Sequence, residues 1–379
     1  MNTGFSHESR LIHAGIERGL ANPATPPLVP ASIFVSWGEP QPGRAYGWDG
    51  NPGWEALEQA IGGIEDAQAV VFASGQAASM ALMLALTEGR ERIVMPADGY
   101  YGGRTLAGKL RPHGAVPVHV DQCDLDAVER ELKAAPAVLW AETPTNPLLR
   151  VADLSRLGEL AAAANAPMIV DNTVPTGLLQ QPLRWGATAS LYSLTKAASG
   201  HSDVIGGAVV SRDVELIAGL RAWRSAGGGV PGPFECWLAL RGLKTLPLRI
   251  ERQSQSAMAV AAHLATHPRV AAVHYPGLAD GAARAVAERQ MPAGYGPLLS
   301  FEVRPAGWSE MDAACAADAV IQASRLILPA TSFGGAESSW ERRARWPSET
   351  APGGLIRLSV GLEPVADLIA DIDAALEAM

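Results

Sequence analysis

Lysine occurs at only four positions in this chain, Lys109, Lys133, Lys196 and Lys244, against 26 arginines. Chemistry that needs a lysine amine therefore has few places to happen. Lys196 lies in YSLTKAASGHSD, directly after the apolar run ASLYSL and before a glycine-flanked segment leading into AVV. A lysine at a strand's carboxyl end, among small and hydroxyl residues, is poorly placed as a solvated surface charge and well placed to meet a ligand. A site that lowers the pKa of such an amine makes it a nucleophile able to form Schiff bases with carbonyl cofactors. The alternative is a lysine whose charged head snorkels to water from a strand end.

Four other features could share a site with that amine. Asp171 ends the run PMIVD, which sets a carboxylate at the tip of a buried strand. Burial is expensive for it unless it meets a cation, such as a pyridinium nitrogen, or caps the following turn. In VVFASGQAASMALM a strand passes through Ser74 and Gly75 into a helix. The first N–H groups of that helix, at Gly75 and Gln76, suit an anion such as phosphate. Ser193 and Thr195, two apart beside the lysine, could add hydroxyls to the same phosphate. Arg357, inside the apolar strand LIRLSVG, needs an anionic partner, either a substrate carboxylate or a structural salt bridge. Together these features describe a pyridoxal phosphate site.

The elements that position them follow from the pattern of apolar runs. From about residue 56 to 215, RIVMP, AVPVHV, AVLWAE, PMIVDN, ASLYSL and AVV alternate with amphipathic stretches such as LDAVERELKAA and LSRLGELAAAANA. Short strands that are apolar throughout and spaced by helices predict an α/β fold, with a mostly parallel sheet covered on both faces. Ligands of such sheets bind at the carboxyl ends of the strands. Residues 1–55, rich in Pro, Gly and Trp, read as an extended N-terminal arm. Residues 56–240 form the large domain. Residues 241–379 form a smaller α/β domain with the strands PLLSFEV and LIRLSVGL, a helix near 311–323 and a closing helix. On that last helix Val365, Leu368, Ile369, Ile372 and Leu376 share one face.

Composition excludes other classes. The formal net charge is -9 with no basic block, which argues against a nucleic-acid binder. No apolar stretch reaches membrane-spanning length, and MNTGFSHESR lacks the layout of a signal peptide. A soluble cytoplasmic protein is expected. Cys123, Cys236 and Cys315 are far apart and without CxxC spacing, so they read as core thiols, not as disulfides or a metal site. No GxGxxG follows the first strand, which removes a nicotinamide-dependent dehydrogenase.

The motifs LIHAG, YGWDGNP, ETPTNPLL, VDNT, SLTKAASGHSD, SFGGAES and LIRLSVGLE span nearly the whole chain. On them the chain resembles the Cys/Met-metabolism family of pyridoxal-phosphate enzymes. That family includes the cystathionine γ-synthases, γ-lyases and β-lyases, methionine γ-lyase and the acyl-homoserine sulfhydrylases. PGPFECWLALRGLKTL and ERRARW are most similar to the bacterial cystathionine γ-lyase branch.

The resemblance implies an aspartate-aminotransferase-like fold, fold type I. It also implies a homotetramer of dimers whose active sites are completed by a neighbouring subunit, acting on a small amino acid. It makes Lys196 the Schiff-base lysine and proton shuttle, and Asp171 the partner of the pyridine nitrogen. Gly75, Gln76, Ser193 and Thr195 become phosphate ligands, while Asn146 and Arg357 orient the substrate carboxylate. Tyr100 is the ring-stacking tyrosine if DGYYGG is aligned on Asp98; Tyr101 is if it is aligned on the glycines. Tyr46 reaches the phosphate across the dimer interface.

The departures from the family pattern cluster at the cofactor and substrate side. The family normally reads Tyr-x-Arg-x-Gly-Asn-Pro-Thr at the arm, whereas this chain has Trp48 at the arginine and Gly53 at the threonine. Trp48 offers no bidentate cation; Arg44, two residues before Tyr46, is the nearby substitute. Gln76 stands in place of a methionine. Either cofactor affinity is lowered, or the mouth is reshaped for another substrate on which Trp48 stacks. Thr331, before SFGGAES, sits where the family varies with reaction. The expected reaction is elimination at the γ-carbon of a sulfur-containing or γ-substituted amino acid. The alternatives are γ-replacement and a degenerate, non-catalytic relative.

Overall fold

A computed structural model of the chain describes all residues except 1–3, 18, 40–42, 44 and 304–306; Arg44 thus lies outside the described residues. The first sheet comprises β1 (Gln68–Phe72), β2 (Arg92–Pro96), β3 (Val116–Val120), β4 (Ala137–Glu142), β5 (Met168–Asp171), β6 (Ala189–Ser193) and β7 (Gly207–Ser211). Its order is β1-β7-β6-β5-β4-β2-β3. All neighbours run parallel except β7, which is antiparallel to both β1 and β6. These strands coincide with the apolar runs of the sequence. β4, AVLWAE, is buried along its whole length, as a strand covered on both faces must be.

Period-two alternation divides the residues between two cores. In β1, Ala69 and Val71 join Trp54, Leu57, Tyr192, Leu240 and Leu243 on one face, while Val70 and Phe72 join Leu82, Ile93, Val209 and Leu220 on the other. Several covering helices start on an aspartate. Asp124 accepts from Ala127 N, Asp153 from Ser155 N and Arg156 N, and Asp213 from Glu215 N and Leu216 N, which satisfies N–H groups that a helix start leaves over.

The second sheet is antiparallel, β10-β11-β9-β8, built from β8 (Ala272–His274), β9 (Leu298–Glu302), β10 (Ser339–Arg342) and β11 (Leu355–Ser359). Helices Leu246–Leu264, Glu310–Ala323 and Val365–Leu376 cover it. Leu299, Phe301, Trp340, Ile356, Leu368 and Ile372 share its core.

Three expectations need correction. The boundaries at 55/56 and 240/241 fall inside helices Pro52–Gly62 and Pro233–Leu243, which pack into the same core of the large domain. The arm is not extended throughout, because His7–Ile12 is helical and Leu11 is buried in that core. Only Cys236 is a core thiol; Cys123 and Cys315 are exposed. Among the described residues no helix is long and apolar enough to cross a membrane.

Candidate active site

The carboxyl ends of β4, β5 and β6 open on a pocket of about 290 Å³, closed from the small domain by Thr331, Ser332, Phe333, Arg343, Trp346 and Arg357. Gly75, Gln76, Tyr100, Asn146, Asp171, Ser193, Thr195 and Lys196 all line it. The topology thus brings together most of the residues singled out in the sequence.

On one side lies the start of helix Gly75–Thr87. Ser74 Oγ accepts from Ala77 N at 3.0 Å, while the N–H groups of Gly75 and Gln76 have no carbonyl behind them in the helix. Close approach requires glycine at 207 and leaves little room for a side chain at 75. A Cβ at Gly75 would meet the Ser193 Cβ at 3.2 Å, and one at Gly207 would lie 2.3 Å from the Ser74 carbonyl oxygen. The turn is therefore packed against β6 and β7 with backbone facing the pocket. Thr195 Oγ1 accepts from Gly206 N at 3.1 Å. The Gln76 side chain donates to the Gly102 carbonyl at 3.1 Å, tying the helix start to the turn of the two tyrosines.

Asp171 accepts from Thr173 N at 3.1 Å. Burial raises its pKa, against the opposing pull of the Thr173 hydrogen bonds and the Lys196 charge. A cationic partner would favour its ionised form. Tyr100 and Tyr101 stand edge to face with ring centroids 5.0 Å apart. The Tyr100 phenol is pushed up to about 12, first by burial, then by Tyr101, with the charge of Asp171 adding. The Arg343 guanidinium lies 5.9 Å from the Tyr101 ring.

Lys196 Nζ donates to Ser332 Oγ at 2.7 Å and lies 5.2 Å from the Phe333 ring centroid. Burial, with repulsion from Arg357 next, lowers its pKa to about 8. The same Ser332 receives Arg357, whose Nη2 donates to the Ser332 carbonyl at 2.9 Å and whose Nη1 donates to Asn146 Oδ1 at 3.0 Å. Arg357 is 4% exposed, and burial, then Arg343, brings its pKa to about 10.

Glu341 gathers the cations of this wall. It accepts from Arg357 and Arg343 at 2.6 Å each, from Thr331 Oγ1 at 3.0 Å and from Trp346 Nε1 at 3.1 Å. Burial alone would raise it, but Arg357, Trp346 and Arg343 together bring it below the ordinary range. Of the two partners left open in the sequence, Arg357 has the structural carboxylate, Glu341, and it also lines the pocket.

Tyr46 and Trp48 are not brought to the pocket of their own chain. Their rings pair at 4.8 Å, 46% and 52% exposed, and Ser225 Oγ donates to the Trp48 carbonyl at 3.0 Å. Sequence reading missed Glu142, Ser332, Glu341 and Arg343. For Glu142 a signal existed, because AVLWAE ends on a carboxylate just as PMIVD does.

The donor set fits pyridoxal phosphate: a lysine of lowered pKa, a half-buried carboxylate whose ionised form a cation would favour, and a helix start whose first N–H groups are free of helix partners. This fold and site define a fold type I pyridoxal-phosphate enzyme. The chain matches the family of Cys/Met metabolism PLP-dependent enzymes over residues 8–377. It is 40% identical over 382 residues to cystathionine gamma-synthase of Mycobacterium tuberculosis, covering 97% of this chain and 96% of that protein. To cystathionine gamma-lyase of Bacillus subtilis it is 36% identical over 384 residues, covering 97% and 98%. The crystal structure of a cystathionine gamma-lyase from Micromonospora echinospora superposes with a TM-score of 0.92 at 35% identity, covering 99% and 100%. The protein belongs to the Cys/Met metabolism PLP-dependent enzyme family.

Proposed function

We propose that this protein eliminates the γ-substituent of a sulfur-containing or γ-substituted amino acid, in the manner of a cystathionine γ-lyase. The observation that carries the reading is the meeting of Lys196 and Arg357 on Ser332. It sets a reactive amine at a fixed remove from a carboxylate-binding guanidinium, as an amino-acid substrate requires.

Bound pyridoxal phosphate supplies an electron sink for charge developing next to the substrate's amino group. Gly75, Gln76, Ser193 and Thr195 would hold its phosphate, Asp171 would favour a protonated pyridine nitrogen, and Tyr100 would lie against its ring. Arg357 and Asn146 bind the substrate carboxylate, which turns Cα toward Lys196. With its pKa near 8, Lys196 has a usable neutral fraction at physiological pH, so Nζ could take the Cα proton, pass it on and, neutral again, take one from Cβ as the γ-substituent leaves. Release of the product by water gives a 2-oxo acid and ammonia.

A second reading, γ-replacement, is supported by the likeness to a γ-synthase; the neutral Thr331 hydroxyl, which donates to Glu341, suits either reaction. The assembly in this proposal is a cytoplasmic homotetramer of dimers. The arm, with Ile33, Val35 and Trp37 69%, 91% and 82% exposed, lies against a second copy and carries Tyr46 and Trp48 to that copy's pocket.

The test is the visible spectrum of the purified protein during titration with pyridoxal phosphate, then with L-cystathionine. A band that shifts with cystathionine and yields 2-oxo acid supports γ-elimination. A band indifferent to cystathionine refutes that substrate, and no band at saturating cofactor refutes the enzyme reading in favour of a non-catalytic relative. Lys196→Ala abolishes both band and turnover.

A further inference from the structure

Glu142 closes the buried strand β4 and pairs with Asp171 in the register of β4 and β5. It lines the pocket and is 5% exposed, yet the roles above leave it unused. A buried acid ordinarily needs a cation. Among the described residues Glu142 makes no ion pair, and its two oxygens instead take one backbone donor each. Tyr100 N donates to Oε2 at 2.7 Å, and Asn146 N donates to Oε1 at 2.9 Å. Its own backbone is gripped by Gln122, whose Nε2 donates to the Glu142 carbonyl and whose Oε1 accepts from Glu142 N at 3.2 Å. Gly99 leaves the space for this contact, since a Cβ there would lie 3.0 Å from Oε2 and 2.6 Å from Pro96 Cγ.

We propose that Glu142 is a positioning residue of this enzyme: with one oxygen it fixes the backbone of Tyr100 beside the pocket, and with the other the backbone of Asn146 behind Arg357. Asn146 in turn accepts from Arg357 Nη1, so one buried carboxyl couples the ring-facing side of the site to the carboxylate-binding side. The inference rests on the roles proposed above for Tyr100, Asn146 and Arg357. Burial and the neighbouring Asp171 push the Glu142 carboxyl well up, while the two N–H groups pull the other way. Neither form can spare an acceptor, because both partners are donors.

That requirement makes the test sharp. Glu142→Gln keeps shape and volume but sets an amide NH2 against one of two N–H groups. One tether breaks and a buried donor is left unmatched, an effect on the order of tenfold to a hundredfold. Hydrogen exchange is followed on the full-length protein, with and without cofactor, over peptides covering 97–103 and 143–149, alongside cofactor titration and steady-state kinetics. In the natural protein the Tyr100 and Asn146 amides are protected. In Glu142→Gln one of the two segments exchanges faster, and cofactor affinity or the KM for the amino acid worsens by about tenfold to a hundredfold with kcat less affected. Native exchange in both segments with native KM and cofactor affinity overturns the proposal. If the variant does not fold, the natural protein decides: protection of both amides supports the proposal, and exchange at the rate of an exposed loop overturns it. The exchange result does not depend on turnover, so failure of the activity reading is distinguishable from failure of this one.

Discussion

Lys196 and Arg357 share Ser332, the amine on its hydroxyl at 2.7 Å and the guanidinium on its backbone carbonyl at 2.9 Å. One residue thus serves two charged groups through two different atoms, and only one of those atoms can be removed by substitution.

Ser332→Ala deletes the acceptor of Lys196 and leaves the carbonyl for Arg357. Loss of a hydrogen bond to a charged group is expected to lower kcat by about tenfold to a hundredfold, while the KM for the amino acid stays near its natural value. Ser332 has φ +84°, and alanine carries the same Cβ at that angle, so backbone strain is unchanged. Steady-state kinetics separate the two constants, and a rise in KM with kcat intact would contradict this division of labour.

The buried amine makes stability depend on pH. An unfolded lysine titrates near 10.5, against about 8 in the folded protein. Between those values the unfolded chain binds more protons, so stability of the cofactor-free protein rises with pH across that window. Below about pH 8 the folded state bears the full cost of a buried charge. Lys196→Met removes that cost, so its melting temperature exceeds that of the natural protein most at pH 8 and below. The difference shrinks toward pH 10.5, and thermal unfolding across that range checks the sign.

Glu341 neutralises two buried guanidinium groups at 2.6 Å each. Removing it in Glu341→Ala leaves Arg357 without its carboxylate, while Arg343 keeps Glu349 at 2.9 Å, and breaking a buried pair costs about 3–5 kcal/mol. Denaturant unfolding is expected to show a loss of that size in the cofactor-free protein, where no ligand carboxylate can substitute.

Trp48 stands where the family places a cation. If the arm reaches a neighbouring pocket, Trp48→Arg adds a charge-assisted phosphate contact and tightens cofactor binding by about tenfold or more. Absorbance titration measures it; unchanged affinity would place residue 48 away from the phosphate.

Much of this was legible in sequence, for a physical reason. Strands covered on both faces must be apolar throughout, so β2, β4, β5 and β6 announce themselves, and a charge at the end of such a run, as at Lys196 or Asp171, has nowhere to be but at the ligand's edge. The direction of β7 was not legible, because AVV has the same composition whichever way it runs. Nor was the Glu341 cluster: nothing in the spacing of SSWERRARW marks which of its charges are buried, yet Glu341 and Arg343 are 2% and 3% exposed. Their partners Glu349 and Arg357 are set beside them by the turn after β10 and by its pairing with β11.

The edge strand β1 depends on a neighbour that is far off in sequence. β1 stands at the edge of the sheet with β7 as its neighbour, Gln68 against Ser211 and Phe72 against Gly207. Synthesis delivers the chain from its N-terminus, so β1 and the turn at Ser74 and Gly75 leave the ribosome long before the strand that holds them. The strands carrying Glu142, Asp171 and Ser193 can assemble with one another in the meantime. The seat for the phosphate is therefore complete only once Gly207 stands against Ser74.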